Sequence, residues 1–206
     1  LMNVRNLVEA GQVKQDADEA FSRLFGVLQL EQSQLEKLKE NLRFALDTSP
    51  ANQSSALAPL VPDKVEELVW LGLSPATVSA LQPYITMIAA HTLINVNTAS
   101  AEAIYASTPK LTMADAQKLV SVRERTPFRN MPDVVKVIGR DVTTDDLATL
   151  SVRTSYFEVR SRLRLDKVVV EERALIYRAN ADEITIVWRE RGIVDPTALA
   201  QAVVRR

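Results

Sequence analysis

The sequence predicts an α+β protein in which strands near both ends of the chain form a small antiparallel sheet and a large helical region lies between them. From Tyr156 onward, apolar and polar residues alternate with a period of two, which is typical of strands. Between Asp16 and Leu147, apolar residues instead recur every three or four positions, as on amphipathic helices. Met2 and Val4 alternate with polar neighbours and predict a first short strand.

These patterns set the predicted domain boundaries. The sheet domain is discontinuous and comprises residues 1–14 and 151–194, and the helical domain, residues 15–150, is inserted between its first and later strands. Residues 195–206 form a C-terminal tail. Residues 48–62, which are rich in proline, serine and threonine, are predicted to form a loop within the helical domain.

Residues 94–139 carry the clearest helix boundaries. Asn97 or Thr98 is predicted to cap one helix, and Thr112 with Asp115 is predicted to form a capping box at the start of the next. Earlier in the chain, Asp63 is the predicted cap of a helix that ends at Gly72. A further helix is expected over residues 75–88, with an interruption at Pro83.

The last strands predict a sheet with one dry face. Phe157, Val159, Leu163 and Leu165 fall on one side of the first of these strands, and arginines alternate with them on the other side. A turn at residues 180–182 joins the last two strands of the meander.

Composition excludes several classes of function. The 25 basic and 26 acidic residues give a net charge of −1, which provides no general attraction for polyanions. The chain has no cysteine, so it can form neither a disulfide nor a thiolate metal site. The single histidine, His91, stands in an apolar stretch, and no nucleophile motif or distinctive pair of carboxylates accompanies it. The sequence therefore predicts that the chain is not an enzyme.

Three short motifs occur in an order that resembles the K-type minor pseudopilins of type II secretion systems. The first is the alternation of asparagine with apolar residues at 2–8, the second lies at 94–100, and the third opens a strand at 154–157. The second motif is completed by an arginine and a Pro-Phe pair further along the chain. The residues that carry the central and last motifs are Asn95, Asn97, Thr98, Arg123, Pro127, Phe128, Tyr156 and Phe157.

The resemblance implies a pilin-like antiparallel sheet with a helical insertion. It also implies a single-pass protein of the bacterial inner membrane, anchored by an N-terminal helix that this sequence lacks, with the present portion in the periplasm. The expected partners are the I-type and J-type minor pseudopilins, with which such proteins assemble at the pseudopilus tip during protein secretion. No role for nucleic acid is expected.

Some relatives bind calcium through an acidic stretch in the helical domain. The corresponding residues here, 43–50, retain one carboxylate, that of Asp47. Because Ca²⁺ takes six to eight oxygen ligands, several of them charged, we expect no tightly bound metal and no other cofactor.

The strongest alternative is a helix-hairpin-helix DNA-binding protein, which residues 95–137 also resemble. In that module a glycine-rich hairpin brings backbone N–H groups close to a phosphate. The hairpin here, residues 109–112, has no glycine, although Lys110 could still contact a phosphate. The nearby basic residues are Arg123, Arg125 and Arg129.

Overall fold

The structure is a computed structural model, and it describes residues 1–53, 55, 57–139, 142–166 and 168–194. The chain divides into two compact units, Leu1–Val152 and a second unit that begins at Arg153. The predicted tail, residues 195–206, lies outside the described residues.

The first unit is mainly helical. Its α-helices are α1 (Gln15–Val27), α2 (Gln32–Ala45), α3 (Pro50–Gln53), α4 (Pro75–Leu81), α5 (Ala101–Ser107), α6 (Met113–Arg125) and α7 (Met131–Ile138). Short 3₁₀ segments span Val4–Leu7, Val65–Leu71 and Asp145–Leu147. Its two-residue strands are β1 (Met2–Asn3), β2 (Val8–Glu9), β3 (Gln12–Val13), β4 (Ile85–Thr86), β5 (Ile94–Asn95) and β6 (Leu150–Ser151).

Local chemistry fixes several of these boundaries. The predicted capping box is confirmed: the Asp115 N–H donates to the Thr112 hydroxyl over 3.2 Å, and the Asp115 carboxylate accepts from the Thr112 N–H over 2.8 Å. Gly72 ends the 3₁₀ segment before it with a φ of 91°, in the left-handed region that favours glycine. A side chain at this position would also meet Asn41.

Other predicted boundaries are wrong. Ser100, rather than Asn97 or Thr98, caps α5 by accepting from the Ala103 N–H. Lys64, not Asp63, is the N-cap of the 3₁₀ segment that follows it, with an extended backbone. The Glu67 carboxylate accepts from the backbone N–H groups of both residues.

The predicted helix over residues 75–88 ends early, and the predicted loop over residues 48–62 is not wholly irregular. α4 stops at Leu81, and the chain turns so that β4 pairs in parallel with β1. In the predicted loop, Asn52 donates to the carbonyl oxygens of Phe44 and Asp47 at 2.9 and 2.7 Å, next to the short helix α3.

Two asparagines hold the N-terminal segment against the stretch after β4. The Asn3 side chain donates to the Ile88 carbonyl (2.9 Å) and accepts from the Ile88 N–H (3.1 Å), and it also donates to Ala90. Asn6 makes the same pair of bonds with Thr92, at 2.8 and 3.3 Å. Each side-chain amide therefore replaces the neighbouring strand that an ordinary sheet would supply.

One apolar core fills the first unit. It includes residues from the N-terminal segment, from α1 and α2, and from later elements as far as Leu150. At its edge Lys39 is buried, and its ammonium lies 2.8 Å from Asp18 and 2.7 Å from Glu36.

The second unit is a three-stranded antiparallel meander, as predicted. Its strands are β7 (Tyr156–Leu165), β8 (Val168–Arg178) and β9 (Ile184–Val194), in the order β7-β8-β9. β7 pairs with β8 from Tyr156↔Tyr177 to Leu165↔Val168. The predicted turn is present, since the Asn180 side chain accepts from the N–H groups of Asp182 and Glu183.

Residues 1–14 differ from their predicted grouping. They cluster with the helices of the first unit, and the strands of the three-stranded sheet all come from residues 156–194. The mixed helix and sheet composition agrees with the predicted class, whereas the insertion of a helical domain into a pilin-like sheet stays a prediction.

The hydrogen bonds of the Asn3 side chain to Ile88 and Ala90, here called the Asn3 clamp, should stabilise the fold more than those of Asn6 to Thr92, the Asn6 clamp. Asn3→Ala leaves the buried backbone groups of Ile88, and the part-buried carbonyl of Ala90, without their partner and should lower the free energy of unfolding by about 2–4 kcal/mol. Asn6→Ala, at a half-buried site, should cost about 1 kcal/mol. Urea unfolding of both variants checks this order, and equal losses would contradict it.

Lys39 should make stability depend on alkaline pH. Burial lowers its pKa, but the hydrogen bonds that its ammonium donates to Asp18 and Glu36 outweigh burial, so the pKa of Lys39 is raised above that of an ordinary lysine. A raised pKa gives stability that is fully present below the unfolded-state value and is lost as pH rises through the folded-state value.

Lys39→Met should therefore destabilise the chain by about 1–2 kcal/mol at neutral pH, and its difference from the wild type should shrink only above pH 10.5. Lys37→Met, at an exposed site on the same helix, is the control. Thermal unfolding at a series of pH values measures both, and a difference that does not change with pH would refute the coupling.

Candidate functional site

The central motif is organised by the side-chain amide of Asn97. Its nitrogen donates to the Phe128 carbonyl over 2.9 Å, and its oxygen accepts from the Phe128 N–H over 2.8 Å. The same nitrogen reaches the Val152 carbonyl at 3.3 Å. One asparagine thus ties the β5 strand region to the segment after α6 and to the last residue of the first unit.

Asn95 acts on its own turn. Its side-chain oxygen accepts from the Asn97 N–H at 2.9 Å, and its backbone carbonyl accepts from Thr98 and Ala99. Beside it, β5 pairs in parallel with β6. Asn95 therefore shapes the loop that presents Asn97 to Phe128.

Arg123, on α6, binds two backbone carbonyls of the same turn. Its guanidinium donates to the Val96 carbonyl at 2.6 Å and to the Ala99 carbonyl. Burial lowers the pKa of Arg123, and the Glu124 charge partly opposes this. Val96 and Ala99 are fully buried, so the arginine satisfies carbonyl groups that water cannot reach.

The structure brings together four of the eight predicted motif residues. Asn95, Asn97, Arg123 and Phe128 form one cluster, and Pro127 precedes the buried Phe128 after the end of α6. Thr98 is exposed at the edge of the turn.

Tyr156 and Phe157 lie in the second unit. The Tyr156 ring is 5.0 Å from the ring of Tyr177, and the Arg178 guanidinium lies 4.8 Å above the ring of Phe157. These two motif residues therefore belong to the sheet and are separate from the Asn97 cluster.

The hairpin that resembles a DNA-binding module uses its polar groups internally. The Leu111 N–H donates to Thr108, the Thr112 N–H donates to Asp115, and Leu111 is buried. The Asp115 carboxylate lies at the helix start where a phosphate would bind, and Lys110 is 3.8 Å from Asp146. This arrangement disfavours phosphate binding because the donors are occupied and the local charge is negative.

The Asp47 region is also self-contained. The Asp47 carboxylate accepts from the Ser49 N–H at 2.9 Å and from its hydroxyl at 3.1 Å. Within the described ranges, no group of three or more histidine, aspartate or glutamate side chains is placed to hold a metal ion.

The sheet of the second unit has an apolar face that is exposed to solvent. The prediction that this side of β7 is buried is wrong: Val159 is 48% exposed, Leu163 71% and Leu165 74%. Strand register adds residues of β8 and β9 to the same side. The apolar face comprises Phe157, Val159, Leu163, Leu165, Val168, Val170, Ile176, Ile184 and Ile186.

A charged strip crosses the apolar face. Glu172 lies 2.7 Å from Arg189 and 2.6 Å from Arg191, and register places all three on this face. Hydrogen bonds from Arg189 and then Arg191 lower the pKa of Glu172. The opposite side of the sheet carries a larger network, in which Arg173 lies 3.2 Å from Glu158 and 3.4 Å from Glu190.

Across the described residues, no helix combines the length and the apolarity that crossing a bilayer requires. The open apolar face of the sheet marks a site of interaction with another surface.

Comparison with known proteins gives the same family for both parts of the first unit. Two sequence models, each described as type II secretion system protein K, match residues 1–90 and residues 94–153. The chain belongs to the type II secretion system protein K family, whose members are pseudopilins that serve protein secretion.

A curated relative and a solved structure agree with this assignment. Type II secretion system protein K of Pseudomonas aeruginosa is 26% identical over 208 residues, which cover 92% of this chain and 61% of the relative. The chain thus spans less than two thirds of that relative's length. The crystal structure of the GspK-GspI-GspJ complex from enterotoxigenic Escherichia coli has a similar fold, with a TM-score of 0.64, 16% identity, and coverage of 92% of this chain and 75% of that chain.

Arg123 should be the most sensitive arginine of the first unit. Arg123→Gln leaves the carbonyls of Val96 and Ala99 unsatisfied and should cost about 2 kcal/mol of unfolding free energy. Arg125→Gln removes the same charge at an exposed position two residues away and should change stability by less than about 0.5 kcal/mol. Chemical unfolding compares them, and similar effects would show that carbonyl binding by Arg123 contributes little.

Proposed function

We propose that the chain is a structural minor pseudopilin at the tip of the type II secretion pseudopilus, where it assembles with the I-type and J-type minor pseudopilins and catalyses no reaction. Its family membership supports the secretion role. The similar solved structure is a complex of K, I and J proteins from enterotoxigenic Escherichia coli, which supports the choice of partners.

The observation that carries the proposal is the exposed apolar face of the sheet. Monomeric soluble proteins rarely expose large apolar patches, and the patches on either side of the charged strip therefore mark an interaction site. Six of its residues have about half or more of their surface open to water: Val159, Leu163, Leu165, Val168, Ile184 and Ile186. Covering them would supply a hydrophobic driving force for association.

The two units would have different roles in this assembly. The sheet unit, together with the N-terminal helix, docks against the partner pseudopilins. The helical unit contributes bulk to the chain, so that no further subunit is added and the chain ends the filament. The internally bonded hairpin and the Asn97 cluster fit this role because they stiffen the unit without offering a reactive group.

We propose an inner-membrane location for the whole protein, with the portion described here in the periplasm. The anchor would be a single N-terminal helix outside the present sequence, as the family resemblance implies. The sheet unit would then be held close to partners anchored in the same way.

Assembly through the apolar face can be tested by adding one charge to it. Leu163→Asp places a carboxylate on a side chain that is 71% exposed, so the fold should survive while docking is lost. The matched control is Leu57→Asp in the first unit, where Leu57 is 85% exposed. The measurement is co-purification of each variant with soluble I-type and J-type partners.

The wild type and Leu57→Asp should co-purify with the partners, and Leu163→Asp should not. Circular dichroism of the isolated variants shows whether the sheet is intact. Failure of the wild type to form any complex would argue against the proposed function. If Leu163→Asp still forms the complex, the interface does not include this face.

We also propose that the chain functions without a bound metal. The single retained carboxylate of the 43–50 region is engaged by Ser49, which supports this. Thermal melting with millimolar calcium and with chelator should give the same midpoint, and a rise of several degrees with calcium would refute the proposal.

A further inference from the structure

The first unit contains a groove of about 600 Å³ that the assembly role does not use. It lies between the N-terminal segment, the first turns of α1 and the loop after β4. Its size is in the range of natural ligand sites, about 300–1,000 Å³. Its lining includes Arg5, Asn6, Lys14, Phe21, Leu93 and Ser107.

Most polar groups around the groove are already satisfied within the protein. Asn6 is bonded to both backbone groups of Thr92, and Lys14 lies 2.9 Å from Glu9. The buried Ser107 hydroxyl donates to the Ile104 carbonyl at 3.1 Å. These groups shape the groove, and they leave little unfilled hydrogen-bonding capacity.

Arg5 is the one half-buried charged side chain of the lining that is not satisfied in this way. The side chains of Asp16 and His91 also line the groove and make no hydrogen bond among the described residues, but both are exposed. Within the described ranges, the Arg5 guanidinium has no hydrogen bond and no carboxylate at ion-pair distance, although the side chain is half-buried. Burial lowers the pKa of Arg5, and the longer-range attraction of Asp63 opposes this only in part. A partly desolvated cation without a close partner is unfavourable, so an anion in the groove would be stabilised.

The groove also has an apolar wall. Leu93 is 47% exposed there, and α1 contributes Ala17, Ala20 and Phe21 beside it. A ligand that fills the groove would therefore gain by carrying an apolar group as well as an anionic one. An acidic peptide offers both groups within one chain.

We propose that this groove binds a short peptide segment, whose carboxylate pairs with Arg5 and whose apolar side chain packs against Leu93. Arginine suits this task because its planar guanidinium can hold a carboxylate through two parallel hydrogen bonds. The site lies wholly within the first unit, and its existence does not depend on the sheet interface.

Three N-acetylated pentapeptides with the same two leucines provide the probes. One has a free C-terminal carboxylate, one has an internal aspartate and an amidated end, and one is neutral, with asparagine in place of aspartate. Titration of each into the ¹⁵N-labelled chain, followed by NMR, reports binding through the amide shifts of Arg5, Asn6 and Leu93. The first two peptides show whether a terminal or a side-chain carboxylate is preferred.

The variant Arg5→Gln removes the charge from a side chain whose guanidinium forms no hydrogen bond with the described residues, and Arg129→Gln makes the same change at an exposed site outside the groove. At least one acidic peptide should bind saturably to the wild type and to Arg129→Gln. Its affinity for Arg5→Gln should be about tenfold lower. The neutral peptide should bind more weakly still. The proposal is overturned if no acidic peptide shifts the groove amides, if the neutral peptide binds equally well, or if Arg5→Gln binds like the wild type. Because these measurements involve no partner pseudopilin, their failure is separate from failure of the assembly proposal.

Discussion

The side-chain amide of asparagine, used in place of a peptide group, is the interaction on which the first unit depends. Asn3, Asn6 and Asn97 each donate to a backbone carbonyl and accept from the N–H of the same residue. The partners Ile88, Thr92 and Phe128 lie outside the helices and strands. Without these bonds their buried or half-buried polar groups would be left unsatisfied, so irregular segments can pass through the interior only because the asparagines are there.

Two cationic side chains of the first unit also stabilise it by binding groups within the unit. Arg123 satisfies two carbonyls of the turn that presents Asn97, and Lys39 joins α2 to α1 through Asp18. The second unit has the opposite design. Its ion pairs lie on the surface of the sheet, and much of its apolar side is open, which leaves hydrophobic area for contacts with another surface. One unit is thus organised internally, and the other offers an interface.

Features determined by near neighbours could be predicted from sequence. The Thr112 and Asp115 capping box, the left-handed Gly72 and the three-stranded meander all follow from residues a few positions apart. The partners of Asn3 could not be predicted, because they stand 85 and 87 positions away and no local pattern identifies them. The motif resemblance singled out Asn97 and Arg123, but only the fold shows that both bind backbone.

Sequence alternation also has a limit in the second unit. The alternation from Phe157 to Leu165 correctly identifies an apolar side of β7, but periodicity does not tell whether anything covers it. The predicted grouping of residues 1–14 with the sheet has the same limit, since a strand pattern does not identify the strand with which it pairs. In the structure β1 pairs with β4 of the helical unit.

Hydrogen exchange of individual amides tests the central claim most directly. If the asparagine clamps hold the first unit together, the Ile88 and Phe128 amides should exchange within about tenfold of the slow amides in the middle of α6, although both lie in irregular segments. Exchange of these two amides as fast as that of the exposed neighbour Arg129 would contradict the account.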